Sequence, residues 1–354
     1  MFETEHAAIL GSGVSLPKRI MTNDEMERAL GLEPGFILEH TGIQERRWTD
    51  DDNTLASMAA EAALDAVKEA AVSRITRILI ARDTILTRRA FPIELPVIEK
   101  LMAAGIQTRG AASAGDFDNF CPGICHAINY AWLMVACGQA ENVLIVAPTD
   151  YSDMVDLDPA FNRNNDVFGP SKMIRQFSIP STKHLQPPKM NAFLWGCGAG
   201  ALVIGKSDQD GILAYGIEGT QRFHHAAYGI GETTNNKGFT ALDGRAISMF
   251  ALAEVPGILD RFLNEHNLTA ADIDIMVPHQ PNPRLLARVA QRLNWPEDKM
   301  VVICDKLGNL IGASIPVAYH LAKKEGRIRK GHTVLFCAFG DKLLTAAVVL
   351  LRES

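Results

Sequence analysis

Short runs of aliphatic and β-branched residues alternate with longer alanine-rich stretches along this chain, and that alternation limits its fold more than any other feature. The short runs are Arg77–Arg82, Asn142–Ala147, Ala201–Gly205, Ile212–Ile217, Ile273–Val277, Val334–Ala338 and Leu343–Leu351. They lack the every-second-residue polarity of a strand with one wet face, which predicts strands buried on both sides. Between them, Thr54–Ala71, Cys125–Cys137, Ile247–Asn264, Pro283–Leu293 and Ala313–Lys324 read as helices. Such alternation predicts α/β layers. Alanine-rich helices also suit a gap between two sheets, where a bulky side chain would not fit. With 47% hydrophobic and 21% charged residues, there is ample material for a core and no case for global disorder. A length of 354 residues fits two or three domains, or one large duplicated unit.

A faint internal echo favours duplication. Val143-Leu144-Ile145-Val146-Ala147-Pro148-Thr149-Asp150 resembles Val334-Leu335-Phe336-Cys337-Ala338-Phe339-Gly340-Asp341. Each follows an alanine-rich helix that starts shortly after a loop with a candidate polar residue, Cys121 in one case and Asn309 in the other. Asp150–Asn191, rich in Asp, Asn, Pro, Ser and Lys, reads as a long excursion between the halves, a type of loop that often forms lids or dimer contacts. Near the start, Gly11-Ser12-Gly13-Val14-Ser15-Leu16-Pro17 imitates a dinucleotide fingerprint. It has no third glycine, and Pro17 stands where the helix should begin, so the expectation is a tight turn after the first strand.

Acidic residues outnumber basic ones by 41 to 35, for a net charge of -6. That disfavours a chain-wide nucleic-acid surface and leaves room for a local basic patch. No apolar run approaches the ~18 residues of a membrane span. The start, Met1 to His6, lacks a basic segment followed by an apolar one, so the expected location is the cytoplasm. The six cysteines, at 121, 125, 137, 197, 304 and 337, are too scattered for a zinc site, and a disulfide framework is not expected. Cys125, Cys137 and Cys337 read as buried structural thiols.

Cys121 stands apart. In Gly115-Asp116-Phe117-Asp118-Asn119-Phe120-Cys121-Pro122-Gly123-Ile124, Pro122 fits a first helical position, where its missing N–H costs nothing. Cys121 would then sit at a helix N-terminus, where the macrodipole favours a thiolate. On these residues alone, nucleophile and buried thiol are about equally supported. Val277-Pro278-His279-Gln280-Pro281-Asn282 puts a histidine at a strand's carboxyl end, where α/β proteins build their sites, and Asn282 is placed to cap the next helix. The plainer reading of His279 is a satisfied structural histidine. Lys306-Leu307-Gly308-Asn309-Leu310-Ile311-Gly312 is a glycine-bracketed loop, whose plainer reading is a turn with Asn309 in the left-handed region. Arg284, Arg288 and Arg292 repeat at helical spacing and form one basic stripe, either a solvated face or a docking patch.

Together these pieces resemble the β-ketoacyl-acyl-carrier-protein synthase III branch of the thiolase-like condensing enzymes. The resemblance runs nearly end to end, from Gly11–Pro17 and Thr22-Asn23-Asp24 through Thr41-Gly42-Ile43-Gln44-Glu45-Arg46 and Ala90-Phe91-Pro92 to Ala338-Phe339-Gly340. Its most specific pieces are the His-Gln-x-Asn and Gly-Asn segments. It implies a five-layered αβαβα fold of two duplicated halves, here 1–190 and 191–354. It makes Cys121 the acylated nucleophile, with His279 and Asn309 completing a triad. An oxyanion would be held by the backbone of Cys121 and of the Gly340–Asp341 turn. Phe36, His40, Phe91, Arg245 and Asn282 fall on substrate-binding positions, with Phe91 reaching into a neighbouring subunit, and Arg284, Arg288 and Arg292 on the helix that meets the carrier protein.

The resemblance further implies a homodimer without metal or redox cofactor. Its substrates would be acyl-CoA or acyl-carrier-protein thioesters and a malonyl thioester, joined by decarboxylative Claisen condensation for fatty-acid or specialised lipid and secondary-metabolite synthesis. No nucleic-acid or membrane partner is expected. The chain departs from the family pattern at several points. Asn119 and Phe120 stand where small residues are usual, Phe36 and His40 replace the tryptophan and arginine of the nucleotide site, and Cys197 replaces an acid within Gly196-Cys197-Gly198-Ala199-Gly200. The triple-glycine turn reads Gly340-Asp341-Lys342. Two rival readings are an acyltransferase that passes a Cys-bound acyl group to an alcohol or amine, and a non-catalytic heterodimer partner. A pure scaffold has no need of all three triad residues.

Overall fold

The computed structural model describes residues 6–50, 52–82, 92–108, 112–152, 193–209, 211–220, 227–232, 238–242, 244–340 and 344–354. In chain order they form β1 (Ala7–Ser15), β2 (Arg19–Thr22), α1 (Asn23–Leu30), α2 (Phe36–Thr41), β3 (Glu45–Trp48), α3 (Leu55–Ala70), β4 (Arg77–Arg82), α4 (Glu94–Ala103), β5 (Ala112–Asp118), α5 (Gly123–Ala136) and β6 (Asn142–Thr149). Then come β7 (Gly198–Lys206), β8 (Ile212–Gly219), β9 (Ala227–Glu232), β10 (Gly238–Leu242), α6 (Gly244–Ala253), α7 (Val255–Glu265), β11 (Ile275–Pro278), α8 (Pro283–Leu293), the single turn α9 (Cys304–Leu307), α10 (Ser314–Lys324), β12 (Thr333–Gly340) and β13 (Thr345–Arg352).

Two main sheets result, one in the order β1-β7-β6-β4-β5 and the other β11-β12-β13-β8. In the first, β4 runs parallel to both β5 and β6, while β7 is antiparallel to β1 and β6. In the second, β11 and β12 are parallel and β13 is antiparallel to β12 and β8. Every residue of β6 and of β12 is buried, as the unbroken apolar runs predict, because each strand is central and covered on both faces. Helices α5 and α10 lie between the sheets, and each touches strands of both. Cys125, Ala127, Ile128 and Ala131 of α5 share one cluster with Ala318 and Ala322 of α10 and with strand residues of both sheets. Helices α3 and α4 cover the outer face of the first sheet, and α6, α7 and α8 that of the second. The outcome is the expected five-layered αβαβα arrangement.

Several local expectations change. Gly11 and Gly13 do not form a turn; they lie inside β1, under α3. A Cβ on Gly11 would sit 2.3 Å from the Ala66 carbonyl oxygen, and one on Gly13 would sit 2.2 Å from that of Ala62. The glycines let a helix approach a strand. The helix expected over Ile247–Asn264 is two helices, broken at Glu254, because Pro256 lacks the N–H that would continue the ladder and its ring clashes with the preceding turn. Cys137 is exposed, since it follows the last turn of α5, whereas Cys125 and Cys337 are buried as expected. Strand β7 begins at Gly198, beyond the expected division at 190/191, yet pairs within the first sheet. The chain completes that sheet only after the excursion. Most of the excursion itself, 153–192, lies outside the described residues.

Candidate active site

Cys121 occupies a tight turn between β5 and α5. The Gly123 N–H donates to the Asn119 carbonyl (3.2 Å), and the first helical bonds of α5 run from Cys125 and His126 back to the Pro122 carbonyl (2.9 and 3.2 Å). Pro122 therefore sits at the helix start, within one residue of the expected position, and Cys121 just before it. Phe120 has φ 46°, in the left-handed region that costs a non-glycine residue roughly 1–3 kcal/mol. This strained step sets Cys121 at the exit of the turn. Its thiol is half-buried. A Cβ built on Gly340, at the end of β12, would lie 3.5 Å from Cys121 Sγ. With φ 135°, Gly340 has a backbone that side chains rarely adopt. Absence of a side chain keeps the space over the sulfur open.

His279 follows β11 and continues its pairing, with its N–H donating to the Cys337 carbonyl (2.8 Å). The ring is 3% exposed and meets Phe339 edge-on, with centroids 5.7 Å apart. Burial pushes its pKa down to about 3, against a smaller upward pull from a hydrogen bond with the Ile311 backbone. The imidazole is therefore neutral at neutral pH. Its buried Nδ1 has no hydrogen-bond partner among the described residues.

Asn309 is buried and locked by its backbone. Its N–H donates to the Leu194 carbonyl (2.7 Å), and its carbonyl accepts from Gly196 (3.1 Å). Asn309 Oδ1 accepts the Ile311 N–H (2.8 Å). A backbone N–H requires an acceptor, so the amide orientation is fixed and the NH₂ group is left to donate elsewhere. The expected left-handed residue is not Asn309 but its neighbours, Gly308 (φ 67°) and Ile311 (φ 49°). Thus Ile311 touches both His279 and Asn309, and it shares a hydrophobic cluster with Phe120 and Cys121.

The other expected site residues are spread around this centre. Phe36 and His40 stack on each other in α2 with ring centroids 4.0 Å apart, and Phe36 meets Phe193 edge-on. Phe36 packs on the Cys121 cluster, whereas His40 is exposed. Asn282 caps α8 as expected, its Oδ1 accepting from Leu285 N–H (2.9 Å). Arg284, Arg288 and Arg292 are exposed on α8 and have no ion-pair partner among the described residues, while Leu285, Leu286, Val289 and Ala290 bury the opposite face. Arg245 stands in the first turn of α6. Phe91 and Asp341 lie outside the described residues.

Sequence reasoning missed the supports. Gln280 is fully buried and bonds four backbone groups, donating to Pro278 and Val301 carbonyls and accepting from Ile303 and Cys304 N–H. It ties the His279 loop to the segment leading to Asn309. A glutamine between prolines at a strand end was the available signal. Thr149 Oγ1 donates to the Leu310 carbonyl (2.7 Å), joining β6 to the Asn309 turn. The acid missing at Cys197 is met from elsewhere: the buried thiol donates to Asp150 Oδ1 (3.3 Å), and burial pushes its pKa up.

A half-buried thiol at a middle-layer helix start, a neutral buried imidazole and an oriented amide, set between two sheets, define an α/β enzyme of the thiolase-like class. Comparison with known proteins narrows this. A family model described as 3-oxoacyl-(acyl-carrier-protein) synthase III matches residues 115–169, and its C-terminal counterpart matches 263–352. The chain is 30% identical over 348 residues to β-ketoacyl-(acyl-carrier-protein) synthase III 1 of Bacillus anthracis, covering 98% of each chain. The solved 3-oxoacyl-(acyl-carrier-protein) synthase III of Aquifex aeolicus has a TM-score of 0.77 at 28% identity, covering 98% of this chain and 100% of that one. The priming β-ketosynthase of a polyketide pathway shares the fold, with a TM-score of 0.80 at 24% identity over 100% of this chain and 98% of that one. This chain belongs to the β-ketoacyl-acyl-carrier-protein synthase III family, and is a condensing enzyme.

Proposed function

We propose that Cys121 accepts an acyl group from a thioester and that the acyl-enzyme then condenses with a malonyl thioester. The observation that carries this reading is the approach of Gly340 to Cys121 Sγ, with His279 and Asn309 both bonded to the intervening Ile311. In the first half-reaction the Cys121 thiolate attacks the acyl carbonyl and expels the carrier thiol, leaving a new thioester on Sγ. Backbone N–H groups of Cys121 and Gly340 are the donors for the oxyanion. In the second half, the malonyl group loses carbon dioxide and its electron pair forms an enolate. The Asn309 NH₂ and the His279 ring lower the energy of that enolate oxygen. The enolate carbon attacks the Sγ-bound acyl carbonyl, and Cys121 leaves as thiolate. The product is a β-ketoacyl thioester.

Surrounding features support the rest of the reading. The stacked Phe36 and His40 and the capping Asn282 suit the approach of a carrier arm, and the family resemblance adds Arg245 and Phe91 to the substrate site and Asp341 to the oxyanion turn. The unpaired cations on α8 suit an acidic carrier protein. Strand β5 ends the first sheet, and exposed Tyr130 on α5 meets its Phe117 with ring centroids 5.7 Å apart, which suits a second copy of the chain. We assign the division between the two halves to the chain after Lys206. No helix among the described residues is long and apolar enough to cross a membrane.

The test is intact-protein mass spectrometry after mixing with a panel of acyl-CoA and acyl-carrier-protein thioesters, with carbon dioxide release from a malonyl thioester measured in parallel. Loading with decarboxylation is expected; loading without it leaves a simple acyltransferase. Arg284→Glu with Arg288→Glu is expected to weaken carrier-linked turnover and flatten its salt dependence. Equal loss with a small thioester analogue would count against docking. Sedimentation at micromolar concentration reads the dimer, and a stable monomer would remove it.

A further inference from the structure

The turn that carries Cys121 also carries a polar contact that the chemistry above does not use. Asn119 Nδ2 lies 2.6 Å from His126 Nε2, and His126 Nδ1 lies 2.5 Å from Tyr215 Oη. Asn119 belongs to the turn itself, since its carbonyl accepts the Gly123 N–H. His126 is in the middle-layer helix α5, and Tyr215 is on β8, the outer strand of the second sheet. One imidazole therefore joins the loop leaving the first sheet to the second sheet.

The atoms fix their own roles. An amide nitrogen donates and does not accept, so Nε2 accepts from Asn119, and the remaining proton on Nδ1 is donated to the phenol oxygen. Burial lowers the His126 pKa, which keeps the ring in this neutral form. The geometry at stake is small and demanding. Cys121 leaves a turn strained at Phe120, while Gly340 hangs from the second sheet beside its sulfur. A shift of about 1 Å between the two is enough to cost on the order of 10²-fold in rate.

We propose that His126, clamped between Asn119 and Tyr215, is a positioning residue that registers the Cys121 turn against the second sheet. The proposal rests on Cys121 being the acylated nucleophile.

The test uses the full chain with Tyr215→Phe, Asn119→Ala, their combination and His126→Gln. Two quantities are followed: single-turnover loading of Cys121 from an acyl-CoA, and the pH profile of its alkylation by iodoacetamide, read by peptide mass spectrometry. Each single change is expected to slow loading about 10-fold, as for other supporting partners of a reactive group, with half-saturation unchanged. The combined variant should lose less than the product of the two, since both act through one ring. The alkylation profile should move to higher pH. Tyr215→Phe removes a single oxygen, so it answers the question even if the His126 variant fails to fold. Loading within twofold of wild type and an unmoved alkylation profile would overturn the proposal. If wild type does not load at all, the nucleophile reading is what has failed, and the alkylation profile alone then decides the positioning role.

Discussion

The turn before α5 and the turn before α10 are built alike and loaded differently. Each leads into a middle-layer helix, each helix leads to a strand buried along its whole length, and each turn holds one non-glycine residue in the left-handed region, Phe120 at 46° and Ile311 at 49°. The first turn presents a half-buried thiol beside a glycine. The second presents a buried amide whose backbone and side-chain oxygen are all engaged. A nucleophile must meet a carbonyl and carry it, so it needs open space. A donor to a developing oxyanion gains from being fixed in advance. The same frame thus supplies a reagent in one half and a preorganised donor in the other.

The largest effect tests the reagent side. Cys121→Ala is expected to abolish covalent loading, because Cys125, Cys197, Cys304 and Cys337 are buried and the exposed Cys137 stands at the opposite end of α5 from the site. Burial also raises the thiol pKa of all four, so none offers a thiolate at neutral pH. A stoichiometric adduct on that variant would end the assignment. Next comes the donor side. Asn309→Ala should still load, yet lose malonyl decarboxylation by about 10²–10³-fold, the cost of one oxyanion donor. Loading that falls in step with decarboxylation would erase the division of labour between the two turns.

Much of this contrast is legible in the sequence, and the reasons are physical. Central strands announce themselves because burial on both faces removes polar alternation, and β4 and α8 match their expected bounds. Cys121, His279 and Asn309 stand out because helix starts and strand ends are marked by Pro, Gly and Asn. What stays hidden is long-range. Nothing local distinguishes a glycine pair in a turn from one under a helix, so Gly11 and Gly13 are misread until α3 is seen above them. Likewise, the Thr149 to Leu310 bond spans the two halves of the chain and has no sequence spacing to reveal it.

His279 serves both turns, and its pH behaviour separates chemistry from stability. The unfolded chain takes a proton on this histidine below its ordinary pKa of 6.5, whereas the folded chain resists until about 3. Its contribution is therefore fully present above pH 6.5 and is lost progressively as pH falls toward 3. His279→Ala should slow both half-reactions by roughly 10²-fold, and should flatten the acid-side decline of the melting temperature. Loading in wild type should show no acid limb from this ring between pH 5 and 8, by about the margin its burial sets. An imidazolium limb near 6.5 in the loading profile would mean that the ring is hydrated in solution rather than buried.

The smallest expected effect concerns the bond that crosses between the halves. Thr149 ends β6, the strand that follows the Cys121 helix, yet its hydroxyl supports the carbonyl next to Asn309. Thr149→Val keeps the shape and removes the donor, leaving the Leu310 carbonyl with the Ala313 N–H (2.9 Å) as its partner, at a cost of about 0.5–1.5 kcal/mol in stability. If the two turns carry separate tasks, this change should leave loading of Cys121 near wild type. Decarboxylation should fall less than with Asn309→Ala, because the amide is still present and is still held by Leu194, Gly196 and Ile311. Parallel stopped-flow loading and carbon dioxide release would show the split. A variant slowed more in loading than in decarboxylation would mean that Thr149 acts through its own strand, on the Cys121 side, and that the two turns are coupled rather than divided in their work.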